Sequence, residues 1–177
     1  MADDRELWER ICSGDSHAFE GFYHETAPRL QNFLRQLLPA PHAAEDVTQE
    51  TFLQMWRRPN GFRPERGSLR AYAFGIGRKR AAEWWRHHQP ENQPERPEVS
   101  KDRPETNSLV SDVFERLSVD QKSLLWLREV EGLSYSELSE VLEIPGGTVK
   151  SRLFAAREEL RRIWHDKERA GGKRNEM

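Results

Sequence analysis

Between residues 57 and 88 the chain carries nine basic side chains and two acidic ones, with aromatic residues set among them. Arg63, Arg66, Arg70, Arg78, Lys79 and Arg80 can neutralise phosphates, and Phe62, Tyr72, Phe74, Trp84 and Trp85 include rings able to stack on bases. Those two chemistries suit an unpaired nucleic-acid strand, because capturing a flipped base in a protein pocket offsets part of the cost of unstacking it. The loop from Asn60 to Gly67 is the candidate pocket. Tyr72 and Trp84 are expected in the core, whereas Phe62, Phe74 and Trp85 join the six cations as candidate strand contacts.

A second basic block covers residues 148–177, nine basic against five acidic. Its start is sharply punctuated. Ser134 can cap a short helix, SYSELSEVL, with Glu137 placed to complete a capping box. Ile144, Pro145, Gly146 and Gly147 then form a turn, and Thr148 can cap a helix whose inner stripe is Val149, Leu153, Ala156, Leu160 and Ile163. This is the pattern of a helix-turn-helix, whose second helix fits a DNA major groove. The groove-facing candidates are Thr148, Lys150, Ser151, Arg152 and Ala155, with Arg157 as a further basic contact.

A third set is acidic. In a helix expected from His42 to Arg57, Ala44, Val47, Thr51 and Met55 share one face, while Asp46, Gln49, Glu50 and Leu53, with Trp56 beyond, share another. Carboxylate, amide and apolar groups in one row suit a basic partner helix.

The elements that must position these groups read as helices throughout. Phe19, Phe22, Tyr23, Leu30, Phe33, Leu34, Leu37 and Leu38 form a stripe in which Pro28 should kink or interrupt the helix. Another helix starts near Ser68 as N-cap and turns Leu69, Tyr72, Ala73 and Ile76 inward. A helix near Val119 to Val130 ends before Gly132. Between the two halves, QPENQPERPEVSKDRPETN is nearly free of apolar residues and cannot bury itself. The expected fold is all-α: two small helical domains, 1–88 and 112–163, a flexible linker over 89–111 and a fraying tail over 164–177.

The overall charge of −2 conceals this segregation, since residues 1–56 carry ten acidic and four basic groups and residues 122–147 five and two. One cysteine, Cys12, excludes an intrachain disulfide and reads as a small packing residue. No Cys/His spacing suits a metal, so no cofactor is expected. The opening MADDRELWER has no apolar signal core and no run approaches the roughly 20 residues of a membrane span, so a cytosolic protein without membrane insertion is expected.

The segment LSYSELSEVLEIPGGTVKSRLFAAREEL resembles the fourth conserved region of extracytoplasmic-function (ECF) sigma factors, with its Ile-Pro-x-Gly-Thr-Val-Lys-Ser-Arg string. AEDVTQETFLQMWRR is similar to the family's polymerase-docking helix, Ala-Glu-Asp-x-x-Gln-Glu-x-Phe, and FRPERGSLRAYAFGIGRKRAAEWWRHH to its minus-10 segment. The resemblance spans about residues 16–88 and 112–163. It implies RNA polymerase core as partner, through the clamp helices of the largest subunit and the flap. It also implies promoter DNA read at minus-10 and minus-35 elements, and an anti-sigma factor. The family usually shows Trp at Tyr72, Ala-Arg-Asn at Gly77, Arg78 and Lys79, and Asp at Glu83. A Lys at position 79 puts a charge where an amide could read a base.

Enzymes fit the sequence poorly: His17, His24, His42, His87, His88 and His165 are scattered, and no phosphate loop, HExxH or nucleophile elbow occurs. A helix-turn-helix repressor would account for residues 112–163 but not for the acidic and basic-aromatic helices before them.

Overall fold

The computed structural model describes residues 4–58, 61–88 and 109–172, and every regular element among them is helical. The first domain comprises α1 (Asp4–Cys12), α2 (Ser16–Leu34), α3 (Pro41–Arg57), a 3-10 turn at Pro64–Arg66, and α4 (Leu69–His88). The second comprises α5 (Leu109–Glu115), α6 (Val119–Leu125), α7 (Tyr135–Leu142) and α8 (Gly146–Gly172). Most of the expected linker lies outside the described residues.

The apolar stripes become the core. Leu30, Phe33, Leu34 and Leu38 meet Ala44 and Met55 of α3 and Leu69, Ala73 and Phe74 of α4, all buried, with the Phe33 and Phe74 rings 5.4 Å apart. Within α3, Thr48 and Thr51 are buried at no hydrogen-bonding cost because their hydroxyls donate to Ala44 O and Val47 O one turn back. Helix α4 starts on two carboxylate and hydroxyl caps: Ser68 Oγ accepts from Ala71 N at 3.2 Å, and Asp4, from α1, accepts from Leu69 N at 2.7 Å. In the second domain Val113, Leu127, Leu133, Leu138, Val149, Leu153 and Ala156 are buried together.

Several expectations are corrected. Helix α2 is not interrupted at Pro28, whose missing N–H falls opposite the carbonyl of exposed His24. Helix α8 begins at Gly146, so Thr148 lies within its first turn instead of capping it. The tail expected to fray from residue 164 continues α8 to Gly172. Arg162 pairs with Glu159 and Asp166 along the helix, and Lys167 reaches Asp112 of α5. Residues 109–111, placed in the linker, belong to α5. Cys12, expected as a packing residue, is exposed at the end of α1.

The helix expected over Val119 to Val130 also changes pitch. Trp126–Val130 form a π turn, in which Glu131 N donates to Trp126 O at 3.1 Å, and the wider turn carries Glu131 into the interior. There its carboxylate, 4% exposed, accepts from Arg29 Nε of α2 at 2.9 Å, while its carbonyl accepts from Arg70 of α4 at 3.0 Å. The two domains are thus joined. Helix α7 lies across α4 at Gly75, where an added Cβ would just touch the Val141 backbone at 3.9 Å.

Truncating Phe33→Ala removes a ring with no exposure from this core. It should lower stability by about 3–5 kcal/mol in urea unfolding followed by helical circular dichroism; a loss below about 1 kcal/mol would contradict the packing described.

Candidate nucleic-acid interface

Helix α3 presents Asp46, Gln49, Glu50, Leu53 and Trp56 outward in one row, because Val47, Thr48, Thr51, Phe52 and Met55 are buried on the other side. Leu53 and Trp56 are 41% and 40% exposed, unusual for large apolar side chains in this molecule. Trp56 leans on Phe19, ring centroids 4.9 Å apart, and Glu50 lies 3.5 Å from Arg80. The row is an apolar step edged with negative charge.

The basic residues line the 3-10 turn and one side of α4. A crevice of about 370 Å³ runs between them, lined by Arg63, Arg66, Ser68, Tyr72, Gly75, Lys79 and Arg80. Arg80 is steered by Gln54, whose Oε1 accepts from its Nε at 3.0 Å. Two aromatic candidates are corrected here. Phe74 is fully buried against Phe33, and Phe62 packs edge-on to Trp8 at 5.6 Å and against Tyr72 at 5.7 Å, so neither ring is free to stack on a base. Trp85 is half-buried, its indole N–H donating to Leu37 O at 2.9 Å. Tyr72, expected in the core, is half-buried: its ring packs on Trp8 and Phe62, and it lines the crevice together with Phe62. Its spacing to Gly75, Ile76 and Lys79 puts it on their helix face, and its hydroxyl fills the space where any Cβ on Gly61 would fall.

The far wall of this crevice is acidic and belongs to the second domain: Glu140, Val141 and Glu143. Arg66 lies 3.6 Å from Glu140, Lys79 2.6 Å from Glu143, and Arg78 3.7 Å from Asp120. Glu137 forms the expected capping box with Ser134 and at the same time accepts from Ser68 N at 3.0 Å and from the Ser68 hydroxyl. Burial opposes its ionisation, but these hydrogen bonds from Ser68 and Ser134 outweigh it and hold the carboxyl below its ordinary value. Gly67 (φ 143°) permits the approach: a Cβ there would stand 2.8 Å from Glu137 Cγ. Glu143 ends α7 in the left-handed region at φ 55°, where Gly is usual, and bonding to Lys79 draws its carboxyl below the ordinary range.

On α8, Lys150, Ser151, Arg152 and Ala155 are exposed, opposite the buried Val149, Leu153 and Ala156. Thr148 is half-buried. Arg157 is held by Glu129 at 2.5 Å. Arg152 and Ala155 line a crevice of about 230 Å³ with Arg78 and Asp120, so part of the α8 face is turned toward the first domain. Sequence reasoning missed Phe154, which is 68% exposed one turn beyond Lys150 and Ser151. The signal was its place outside the Val149, Leu153, Ala156 stripe.

A helix-turn-helix with a basic outer face, joined to a helical domain with a basic crevice and a separate acidic and apolar docking row, defines a DNA-binding protein built to engage a second macromolecule. Residues 22–91 match the Sigma-70 region 2 family model, and residues 108–160 match Sigma-70, region 4. The chain is 31% identical to the ECF RNA polymerase sigma-E factor of Haemophilus influenzae, over 88% of this chain and 92% of that protein. It is 28% identical to the RNA polymerase sigma-H factor of Pseudomonas aeruginosa, over 89% and 91%. Among solved structures it shares its fold with CnrH bound to the cytosolic domain of CnrY (TM-score 0.71, 24% identity, 93% of this chain and 98% of that one). The sigma factor RpoE of Bartonella quintana, in complex with the anti-sigma factor NepR, is also similar (TM-score 0.65, 23% identity, 82% and 95%). The chain belongs to the ECF sigma factors, which direct RNA polymerase to promoters.

Glu137→Gln should lower stability by about 1 kcal/mol at neutral pH, by weakening one capping box and the two interdomain bonds from Ser68. Because the folded pKa is depressed, that contribution is present above the unfolded value and lost as pH falls through the folded one. Unfolding of both proteins from pH 7 to pH 3 should therefore converge at the acid end; a constant difference would exclude the ionised role.

Proposed function

We propose that the chain divides at 1–88, a linker over 89–108 and 109–172, and that three faces share the work of initiation. Asp46, Gln49, Glu50, Leu53 and Trp56 dock on the clamp helices of the polymerase largest subunit, and the second domain engages the flap. Arg63, Arg66, Arg70, Arg78, Lys79 and Arg80, with Tyr72 as the stacking ring and Trp85 at the margin, hold the melted minus-10 strand. Thr148, Lys150, Ser151, Arg152 and Ala155 read the minus-35 duplex, with Arg157 joining them on release from Glu129. The observation that carries this reading is the exposed row on α3, since part-exposed Leu53 and Trp56 edged with carboxylate and amide suit a protein partner and repel DNA phosphate. Catalysis belongs to the polymerase, not to this chain, and the protein works in the cytoplasm. The similar sigma factor RpoE, solved with the anti-sigma factor NepR, supports an anti-sigma factor as a further partner. No helix among the described residues is long and apolar enough to cross a membrane.

In vitro transcription from a fragmented genomic template pool, with core polymerase and this protein, should yield discrete starts sharing two spaced upstream motifs. Asp46→Ala with Gln49→Ala should weaken core binding about tenfold or more, as loss of interface-centre contacts does; unchanged binding would remove the α3 assignment.

Phe154 can meet a thymine methyl from the major groove. Phe154→Ala should cost about 1 kcal/mol of minus-35 discrimination without altering the salt slope, whereas Arg152→Ala should lower affinity and slope together. Equal transcription by wild type and Arg152→Ala at several salt concentrations would exclude Arg152 as an upstream contact.

A further inference from the structure

Arg80 stands where two faces of the first domain meet. Its side chain, 27% exposed, lines the crevice from α4, while its guanidinium reaches two residues of α3, Glu50 and Gln54. Those two follow each other by one helical turn and so share a side of α3. Glu50 belongs to the docking row and is 55% exposed; Gln54, half-buried at the margin of that row, lines the crevice with Arg80. The two contacts are unequal. Arg80 Nε donates to Gln54 Oε1 at 3.0 Å, an ordinary hydrogen bond. Its Nη1 stands 3.5 Å from Glu50 Oε2, well beyond the roughly 2.7–2.9 Å of a charge-assisted bond. The neutral amide thus holds the guanidinium more closely than the neighbouring carboxylate does, although charge favours the carboxylate.

We infer that Gln54 is a positioning residue: by engaging Arg80 Nε it holds the guanidinium at the crevice and off Glu50, so that the docking carboxylate and the strand-binding cation do not neutralise each other. With an apolar side chain of the same size at position 54, Glu50 is the acceptor left to Arg80 on α3. The guanidinium then closes the remaining gap, and one ion pair removes a negative charge from the docking row and a positive charge from the crevice together. Glu50 serves core polymerase and Arg80 serves DNA only while the two stay apart. Gln54 itself touches neither partner. The inference rests on the reading of the α3 row as the docking face and of Arg80 as a strand contact.

The test is a double-mutant cycle over Gln54→Leu, Arg80→Ala and the two combined. Both residues are partly exposed, so neither substitution opens the core, and circular dichroism checks that each variant is folded. Surface plasmon resonance on immobilised core polymerase reads docking. Anisotropy of fluorescein-labelled single-stranded DNA of random sequence, titrated against holoenzyme at saturating core with core alone as baseline, reads strand capture. Arg80→Ala should move the two readings in opposite directions: capture falls about fivefold, with a salt slope shallower by about 0.7, while core binding tightens about twofold. Gln54→Leu should weaken both, capture about threefold and core binding about twofold. The double variant should match Arg80→Ala in both readings, because Gln54 acts through Arg80. A Gln54→Leu protein that keeps both affinities, or whose losses add to the effects of Arg80→Ala, overturns the inference, as does weaker core binding by Arg80→Ala. If Arg80→Ala leaves capture and its salt slope unchanged, Arg80 is no strand contact, and that reading falls together with the inference. If capture falls in Arg80→Ala but not in Gln54→Leu, the strand reading stands and the positioning role alone is refuted.

Discussion

A carboxylate taken out of water must find a cation or lose its charge, and Glu131 is the one buried acidic group among the described residues. Arg29 supplies the cation from α2, and Arg70 of α4 donates to the Glu131 carbonyl. Both arginines belong to the first domain. The π turn that inserts Glu131 into the interior therefore does more than end a helix, for it fixes where the second domain sits on the first. Removing Arg29 would leave the buried Glu131 carboxylate uncompensated, a defect that commonly costs about 3–5 kcal/mol, whereas Arg29, part-exposed, would fall back on solvent if Glu131 were removed. The remaining interdomain pairs lie at the rim, more exposed and individually weaker.

Helix α4 serves two purposes with two faces. Leu69, Ala73 and Phe74 anchor it in the core, and Tyr72, Gly75 and Lys79 face the crevice. Gly77 shows how tightly the inner face is set: a Cβ there would stand 2.8 Å from Leu30 Cδ1, so the alanine usual in the family would require the Leu30 side chain to shift. Such an inner face holds the row of cations at fixed spacing, opposite the Glu140, Asp120 and Glu143 carboxylates.

Much of this was legible in the sequence, where the information is local. The buried positions of α3 and α8 follow from helical period, and the Ser134–Glu137 capping box from residues three apart. What was not legible depends on partners distant in the chain. Glu137 caps its own helix as any capping-box residue would, but its second role requires Ser68, 69 residues away. Phe62 and Phe74 carry the composition of a stacking surface, yet Trp8 and Phe33 close over them. Tyr72 was assigned inward because aromatic residues at helical spacing are usually core. It is in fact half-buried, and its hydroxyl sits against Gly61, where any side chain would collide with it. The π turn left no trace in periodicity, since one added residue per turn shifts the pattern by less than the scatter of a short helix.

The strength of the interdomain contact follows from how unevenly its groups are satisfied. Arg70 gives one guanidinium N–H to the Glu131 carbonyl, but its Nε is buried without a protein partner. An unpaired buried donor costs about 1–3 kcal/mol, comparable to what several exposed ion pairs return. Glu143 adds backbone strain of the same order. The two domains are thus held together by one well-formed buried pair and a set of weaker contacts offset by local penalties.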